Sequence, residues 1–285
     1  MELPRVPRGH PGMSPSLSAR PSFRLSDLWR APLHDFPIRD EILYQYLHLG
    51  LDMDVLEVGP GSGLTAFRWS PRVNRLTLLD VAPGNLAKLQ AALRDRPNLH
   101  FVCADICKPD LAESFAGRFD AVYAIEVLEF VPDAGAALVN MAALLRPGGQ
   151  ALIQFPNYPP PKNPGITYFK TRAELDHALT ESAFSGWSLY TLRLKPYAQV
   201  LYNAFHERPL ALYRRLRPKV GHHHPLVYDQ TWAFQGGRRL ERYKPVLHGA
   251  WMALSAAMRL GGDCFERTPV GDEILNRNLL LLATR

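Results

Sequence analysis

The sequence predicts an α/β protein built around a mainly parallel β-sheet with helices on both faces. Short, uninterrupted apolar segments alternate with segments of helical periodicity, which is typical of parallel strands covered by helices. A glycine-rich turn follows the first predicted strand, as in folds that bind ligands at strand ends. The 285 residues are 47% hydrophobic and 21% charged, which fits one elaborated globular domain or two small ones.

Five apolar segments are predicted to form the parallel part of the sheet. Helices alternate with them, and Asn85 and Asp133 are of the residue types that cap helix N-termini. Right-handed crossovers bring the carboxyl ends of such strands to one edge, where ligands bind. The predicted strands are 54–58, 75–79, 99–103, 119–125 and 150–155, and the helices between them are 64–69, 85–94 and 134–145.

The strand–helix pattern loosens after Phe155. Thr171 is predicted to cap a helix over 172–180, a strand follows at 188–194, and a last strand occupies 278–283. Prolines divide the segment between these last two strands into several predicted helical pieces. The predicted domains are a disordered tail at 1–22, an N-terminal helical cover at 23–50, a ligand-binding domain at 51–195, a helical insertion at 196–272 and a final strand of the sheet at 273–285.

The positive charge of the chain is concentrated late in the sequence. The net charge is +6, and ten basic against three acidic residues lie between Pro196 and Leu260. Nine aromatic residues share that segment. Such a mixture suits a solvated face, an anionic or aromatic acceptor, or peripheral contact with a membrane. No RNA-binding module is apparent, so nucleic acid is not the expected partner. The sequence does not indicate the oligomeric state.

The cysteines indicate a reduced compartment and no metal centre. Three cysteines are too few for a disulfide framework or a four-thiolate zinc site. The first 22 residues hold no apolar segment of the kind that secretory signals contain. The expected location is therefore cytoplasmic. The run His222–His224 is a weak metal signal, because adjacent side chains point in different directions and no second ligand group accompanies them.

The glycine-rich turn predicts a nucleoside-binding site. It reads Glu57-Val-Gly59-Pro60-Gly61-Ser-Gly63, and Asp80 ends the next predicted strand. Glycines permit a tight turn close to a ligand, and a carboxylate at Asp80 can accept both ribose hydroxyls. A dinucleotide fingerprint needs a glycine three positions after its second glycine, where this chain has Leu64. An acid at position 57 also repels a pyrophosphate and suits an ammonium group.

At this point the chain resembles the class I S-adenosylmethionine-dependent methyltransferases, and the small-molecule branch most of all. The resemblance rests on five ordered motifs, at 55–63, Asp80, 104–106, 119–133 and 144–153. It implies a Rossmann-like, doubly wound, seven-stranded sheet in the order 3-2-1-4-5-7-6, with the last strand antiparallel. It also implies S-adenosylmethionine as the cofactor, bound by Glu57, Gly59, Pro60, Gly61, Gly63, Asp80, Val81, Asp105, Ile106 and Glu126.

The predicted function is methyl transfer to a small or lipid-like acceptor at oxygen. The alternatives are a nicotinamide-dependent oxidoreductase and a non-catalytic binding or scaffold member of the same fold. No general base is assigned, because a sulfonium methyl needs one only when the acceptor keeps its proton. Relatives often carry a histidine where this chain has Phe130, and Glu129 is interpreted as a residue at the start of a helix. The weak base candidates are Tyr158, His177, His206 and His222–His224.

Overall fold

The computed structural model describes residues 39–159, 167–208 and 244–285. The predicted tail at 1–22, the run His222–His224 and most of the basic segment lie outside the described residues. The predicted cover at 23–50 is described only from Arg39 onward. Within the described ranges, no helix is long and apolar enough to cross a membrane.

The described chain forms a single eight-stranded sheet in the order β3-β2-β1-β4-β5-β8-β6-β7. The first five strands run parallel to their neighbours, and β1 occupies the centre, with Val55 aligned to Leu76 on one side and Ala121 on the other. The final strand is antiparallel to both β5 and β6, as predicted. The strands are β1 Asp54–Val58, β2 Arg75–Asp80, β3 Leu99–Cys103, β4 Phe119–Ile125, β5 Leu145–Asn157, β6 Gly186–Leu194, β7 Phe265–Pro269 and β8 Arg277–Thr284.

Helices cover both faces of the sheet, and two of them begin at the predicted caps. Asp133 Oδ1 accepts a hydrogen bond from Ala136 N at 2.9 Å, and the Thr171 hydroxyl accepts one from Glu174 N at 3.2 Å. A 3₁₀ turn at Leu128–Phe130 follows β4. The helices are α1 Arg39–Tyr46, α2 Leu64–Trp69, α3 Pro83–Ala92, α4 Pro109–Phe115, α5 Ala134–Leu144, α6 Arg172–Thr180, α7 Pro196–Tyr202 and α8 Lys244–Leu260.

The predicted strand count of seven is wrong by one, because β7 adds an eighth strand at the edge. This strand lies within 196–272, for which the sequence predicts only helices. β7 pairs with β6 alone, and four of its five residues are exposed. An edge strand facing solvent needs no continuous apolar run, so its sequence, Phe-Glu-Arg-Thr-Pro, carries little strand signal.

The predicted cap of the helix after β2 is also wrong. The helix α3 begins at Pro83, and its N-cap is Ala82, which has no side-chain cap. Proline is favoured at the first helical position because its missing N–H would have no partner there. Asn85 therefore lies inside the first turn, where its amide is free for another role.

Two apolar clusters fill the space on the two faces of the sheet. The cluster around β1 and β2 includes residues of the late segment, namely Ala198 and Tyr202 of α7 and Trp251 and Met258 of α8. The described parts of 196–272 thus pack directly on the core of the cofactor-binding half.

Candidate functional site

The glycine-rich turn after β1 adopts a left-handed backbone, which glycine accommodates without strain. Gly59, Gly61 and Gly63 have φ angles of 65°, 54° and 77°. A Cβ on Gly59 would lie 2.5 Å from Val127 Cγ2, and one on Gly63 would lie 2.5 Å from Leu89 Cδ2. These positions therefore exclude side chains for both conformational and steric reasons. The turn delivers the chain into the N-terminus of α2.

Asp80 lies at the end of β2, beside this turn. Its Oδ1 accepts a hydrogen bond from Ala82 N at 2.9 Å, and its Oδ2 accepts one from Asn85 Nδ2 at 2.7 Å. The same Asn85 Nδ2 donates to Gly61 O at 3.1 Å. Asn85 thus connects the predicted ribose-binding carboxylate to the glycine turn. Val81, which follows, is 45% exposed at the surface.

Asp105 and Ile106 form the next loop along the same edge. Ala104 N donates to Asp80 O at 3.1 Å, which ties the loop after β3 to the end of β2. Asp105 Oδ1 accepts from Cys107 N at 2.9 Å, and Ile106 is buried. These contacts fix two carboxylates on adjacent loops, an arrangement suited to a ribose and a base.

Glu57 is a buried carboxylate near the end of β1. Its side chain is 3% exposed, and within the described ranges Oε2 has no hydrogen-bond partner. Burial raises the pKa of Glu57 to about 7, against the lowering effects of Arg39 and Tyr123. A cationic group at Oε2 would favour the ionised carboxylate. The site therefore suits an ammonium group.

Glu126 follows β4 with a φ of 55°, which is uncommon for a residue with a side chain. Its N–H donates to Gln154 O at 2.8 Å, which holds this backbone at the ends of β4 and β5. Arg39 of α1 is buried and donates to Ile125 O, one residue before Glu126. The sequence alone does not identify Arg39 as a site residue, because a single arginine at the start of a short helix belongs to no recognised motif.

Two buried polar atoms near the ends of β4 and β5 have no hydrogen-bond partner among the described residues. They are Gln154 Oε1 and Glu129 Oε2, and both residues are 4% exposed. A buried polar atom without a partner costs free energy unless a ligand or water satisfies it. Together with Glu57 they mark the polar end of the site.

The side chains of two of the weak base candidates are described, and both are exposed. Tyr158 is 43% exposed, and His177 is exposed on α6, whose buried face packs against α5. The side chains of His206 and of His222–His224 lie outside the described residues. Among the described residues, no group of three or more His, Cys, Asp or Glu side chains is placed to hold a metal ion.

Comparison with known proteins agrees with this geometry. Residues 56–153 match the family described as "Methyltransferase domain". The match begins in β1, runs through the glycine turn, Asp80 and Asp105, and ends in β5. Together with the order of the sheet, this match supports a class I S-adenosylmethionine-dependent methyltransferase domain in this part of the chain, with S-adenosylmethionine as its cofactor.

Two curated relatives carry the name "Ubiquinone biosynthesis O-methyltransferase". The protein of Dechloromonas aromatica (strain RCB) is 34% identical over 132 residues, covering 45% of this chain and 55% of its own. The protein of Alkalilimnicola ehrlichii is 35% identical over 133 residues, covering 45% of this chain and 52% of its own. The chain thus spans about half the length of the curated relatives it matches.

Solved structures support the fold. Haemonchus contortus phosphoethanolamine N-methyltransferase 2, in complex with S-adenosyl-L-methionine, superposes with a TM-score of 0.52 at 13% identity. That superposition covers 93% of this chain and 58% of the other. The [4+2]-cyclase SpnF superposes with a TM-score of 0.50 at 17% identity, covering 86% of this chain and 79% of its own. At these identities the likeness concerns the fold alone.

We expect Asn85→Ala to weaken binding of S-adenosylhomocysteine about fivefold in calorimetric titration. The variant loses both hydrogen bonds that connect Asp80 to Gly61, and a neutral hydrogen bond contributes about 0.5–1.5 kcal/mol.

Asn98→Ala is the matched control for this variant, because Asn98 Nδ2 also donates two hydrogen bonds, here to the carbonyl oxygens of Ser70 and Val73, away from the site. It should lower the melting temperature without changing affinity. Equal affinities of Asn85→Ala and the unmodified chain would remove Asn85 from the site.

Proposed function

We propose that the chain transfers a methyl group from S-adenosylmethionine to a small or lipid-like acceptor, at an oxygen atom. One observation supports S-adenosylmethionine as the cofactor. Asn85 joins the carboxylate of Asp80 to Gly61, so the ribose-binding group and the glycine turn form one preorganised unit. Glu57 lies at the other side of that turn with an unpartnered buried oxygen. These residues fit a nucleoside that bears an amino acid.

The proposed roles follow from position along the sheet edge. Asp80 and Val81 hold the ribose, Asp105 and Ile106 hold the adenine, and Glu57 and Glu126 hold the amino-acid end. Gly59, Pro60, Gly61 and Gly63 line the turn and let the ligand approach the backbone. When bound, S-adenosylmethionine supplies a methyl group already activated by its sulfonium charge. The protein then contributes orientation of the acceptor and exclusion of water.

A nicotinamide oxidoreductase fits these residues less well. Leu64 takes the place of the third glycine of a dinucleotide fingerprint, and it is buried in the first turn of α2. Glu57 would place a carboxylate near a pyrophosphate, where negative charge is unfavourable. The buried oxygen of Glu57 also argues against a non-catalytic scaffold protein of the same fold. A scaffold has no need of a buried carboxylate oxygen without a hydrogen-bond partner.

The choice of oxygen is supported by the two curated relatives, both of which are named ubiquinone biosynthesis O-methyltransferase. The late basic and aromatic segment supports an acceptor that is anionic or aromatic. The proposal places the enzyme in the cytoplasm, in keeping with its three reduced cysteines.

The test uses S-adenosylmethionine with a deuterated methyl group and a panel of catechols, phenols and amines, with and without an alkyl chain. We expect a mass increase of one labelled methyl on at least one catechol or phenol, and carbon NMR should locate it on oxygen. Transfer to amines alone would overturn the assignment to oxygen. An absence of transfer to the whole panel, with S-adenosylhomocysteine still bound, would favour the non-catalytic alternative.

A further inference from the structure

Glu129 is a buried carboxylate that the proposed cofactor site does not use. It lies in the 3₁₀ turn Leu128–Phe130 after β4 and is 4% exposed. Thr167 N donates to Glu129 O at 2.8 Å, which holds the backbone of the turn. Oε2 has no hydrogen-bond partner among the described residues. A buried carboxylate oxygen in this state requires a partner that the described residues do not supply.

Arg39 connects Glu129 to the cofactor end of the site. The guanidinium donates to Ile125 O, and it interacts electrostatically with both Glu57 and Glu129. The two carboxylates therefore share one arginine and belong to one polar cluster. Glu57 is proposed to face the amino-acid end of the cofactor, which is also the end that carries the reactive methyl. Glu129 follows Glu126 by three residues, in the turn at the carboxyl end of β4, so it lies at the same edge of the sheet as that end of the cofactor site.

We propose that Glu129 is the general base that removes the proton from the acceptor hydroxyl. The inference rests on the proposed O-methyl transfer. The acceptor oxygen forms a bond to the methyl carbon, the carbon–sulfur bond breaks, and its electron pair passes to the sulfur. The hydroxyl proton moves to Glu129 Oε2 and is later released to water, so Glu129 returns to its ionised form.

The environment of Glu129 supports this role. The pKa of Glu129 is raised to about 8, mainly by burial and also by the negative charge of Glu126, against the lowering effects of a hydrogen bond from its own backbone and of Arg39. A phenolic hydroxyl has an ordinary pKa of about 10 and keeps its proton at neutral pH. A carboxylate with a raised pKa is a stronger base than an ordinary one, so it is better matched to that proton. Only the ionised form acts, so the rate should rise with pH through this pKa.

The first readout does not depend on turnover. Infrared spectra of the full chain with S-adenosylhomocysteine are recorded against pH for the unmodified protein and for Glu129→Gln. We expect a protonated-carboxyl band that disappears with a midpoint near pH 8 and is absent from the variant. Glu57, whose pKa is raised to about 7, contributes a band that disappears at lower pH, so the difference between the two proteins assigns the band of Glu129. Absence of the band from the unmodified protein at every pH overturns the proposal.

The second readout is the pH dependence of kcat with catechol as the acceptor, or with whichever phenol of the panel is methylated. General-base catalysis contributes about 10²–10⁴-fold, so Glu129→Gln should lower kcat by that factor and abolish the rise with pH. Its affinity for S-adenosylhomocysteine should stay within about threefold, because the amide keeps the shape of the side chain. Glu129→Asp should restore part of the activity.

Two further variants keep the test decisive if Glu129→Gln does not fold. Glu126→Gln removes a charge that raises the pKa of Glu129, so the rise of kcat should move to lower pH. Glu113→Gln alters an exposed carboxylate on α4 and should leave the profile unchanged. An unmoved profile in Glu126→Gln overturns the proposal, as does a Glu129→Gln variant with full activity.

A failure of the proposed O-methyl transfer can be distinguished from a failure of the role of Glu129. If the proposed function is wrong, the unmodified protein methylates no oxygen acceptor at any pH, and the proposed role of Glu129 is then wrong as well. Loss of activity on chelation, with recovery on adding Mg²⁺, would assign the Glu126 and Glu129 carboxylates to a cation instead and would also overturn the proposal.

Discussion

Asp80→Ala is expected to weaken binding of S-adenosylhomocysteine by about tenfold to a hundredfold. Each hydrogen bond from a ribose hydroxyl to a carboxylate is worth about 1.5–3 kcal/mol, and tenfold corresponds to about 1.4 kcal/mol. The variant also frees Asn85, which loses its acceptor at Oδ2. Stability should change little, because Asp80 lies at a strand end and is only half-buried. Calorimetric titration and thermal melting measure both effects.

Asp120→Ala is the matched control for this variant. Asp120 also accepts from a backbone N–H and from a side chain, namely Asp54 N at 2.7 Å and Arg146 Nη1 at 2.7 Å. It lies at the opposite end of the strands, near the start of β4. We expect Asp120→Ala to lower the melting temperature and to leave affinity unchanged. An Asp80→Ala variant that binds as tightly as Asp120→Ala would show that Asp80 does not hold the ribose.

Arg259→Ala is expected to lower the free energy of unfolding by about 3 kcal/mol. Arg259 of α8 forms two hydrogen bonds of 2.7 Å to Glu41 of α1, whose side chain is 2% exposed. The same guanidinium lies over the ring of Tyr44 at 4.4 Å. Truncation leaves a buried carboxylate without its partner, which costs about 3–5 kcal/mol; the partial exposure of Arg259 favours the lower end. Urea denaturation measures the loss.

A double variant tests whether the cost comes from the unpaired charge. Glu41→Leu combined with Arg259→Met removes both charges and should recover most of the stability lost in Arg259→Ala. Glu273→Ala breaks a pair in which the carboxylate is 91% exposed and should cost less than about 1 kcal/mol. A similarly small loss in Arg259→Ala would mean that α8 is not held to α1 by this pair.

The sequence predicted the parallel half of the sheet closely because its signals are local. The strands Asp54–Val58, Leu99–Cys103 and Phe119–Ile125 have the predicted bounds, since each is a short, mainly apolar segment, and the first and third are almost entirely buried. The cap at Thr171 was equally readable, because capping depends on one side chain and the next turn. The match to the methyltransferase domain covers the same part of the chain.

The features that escaped prediction depend on contacts across long distances in sequence. Arg39 contacts a carbonyl 86 positions later, and Glu41 pairs with a residue 218 positions later. Asn85 was assigned to a helix cap because its residue type suits one, whereas its contact to Gly61 arises only once β1 and β2 are adjacent. The burial of Glu129 could not be predicted from the sequence, since a glutamate in this position is also common in the exposed first turn of a helix.

The central claim is that the glycine turn and Asp80 bind the nucleoside of S-adenosylmethionine. Calorimetric titration of the full chain with S-adenosylhomocysteine, and separately with NAD, tests it most directly. We predict saturable one-to-one binding of S-adenosylhomocysteine, lost or strongly weakened in Asp80→Ala, and a stabilisation of about 2.7 kcal/mol at a hundredfold excess over Kd. Binding of NAD with no response to S-adenosylhomocysteine would contradict the account.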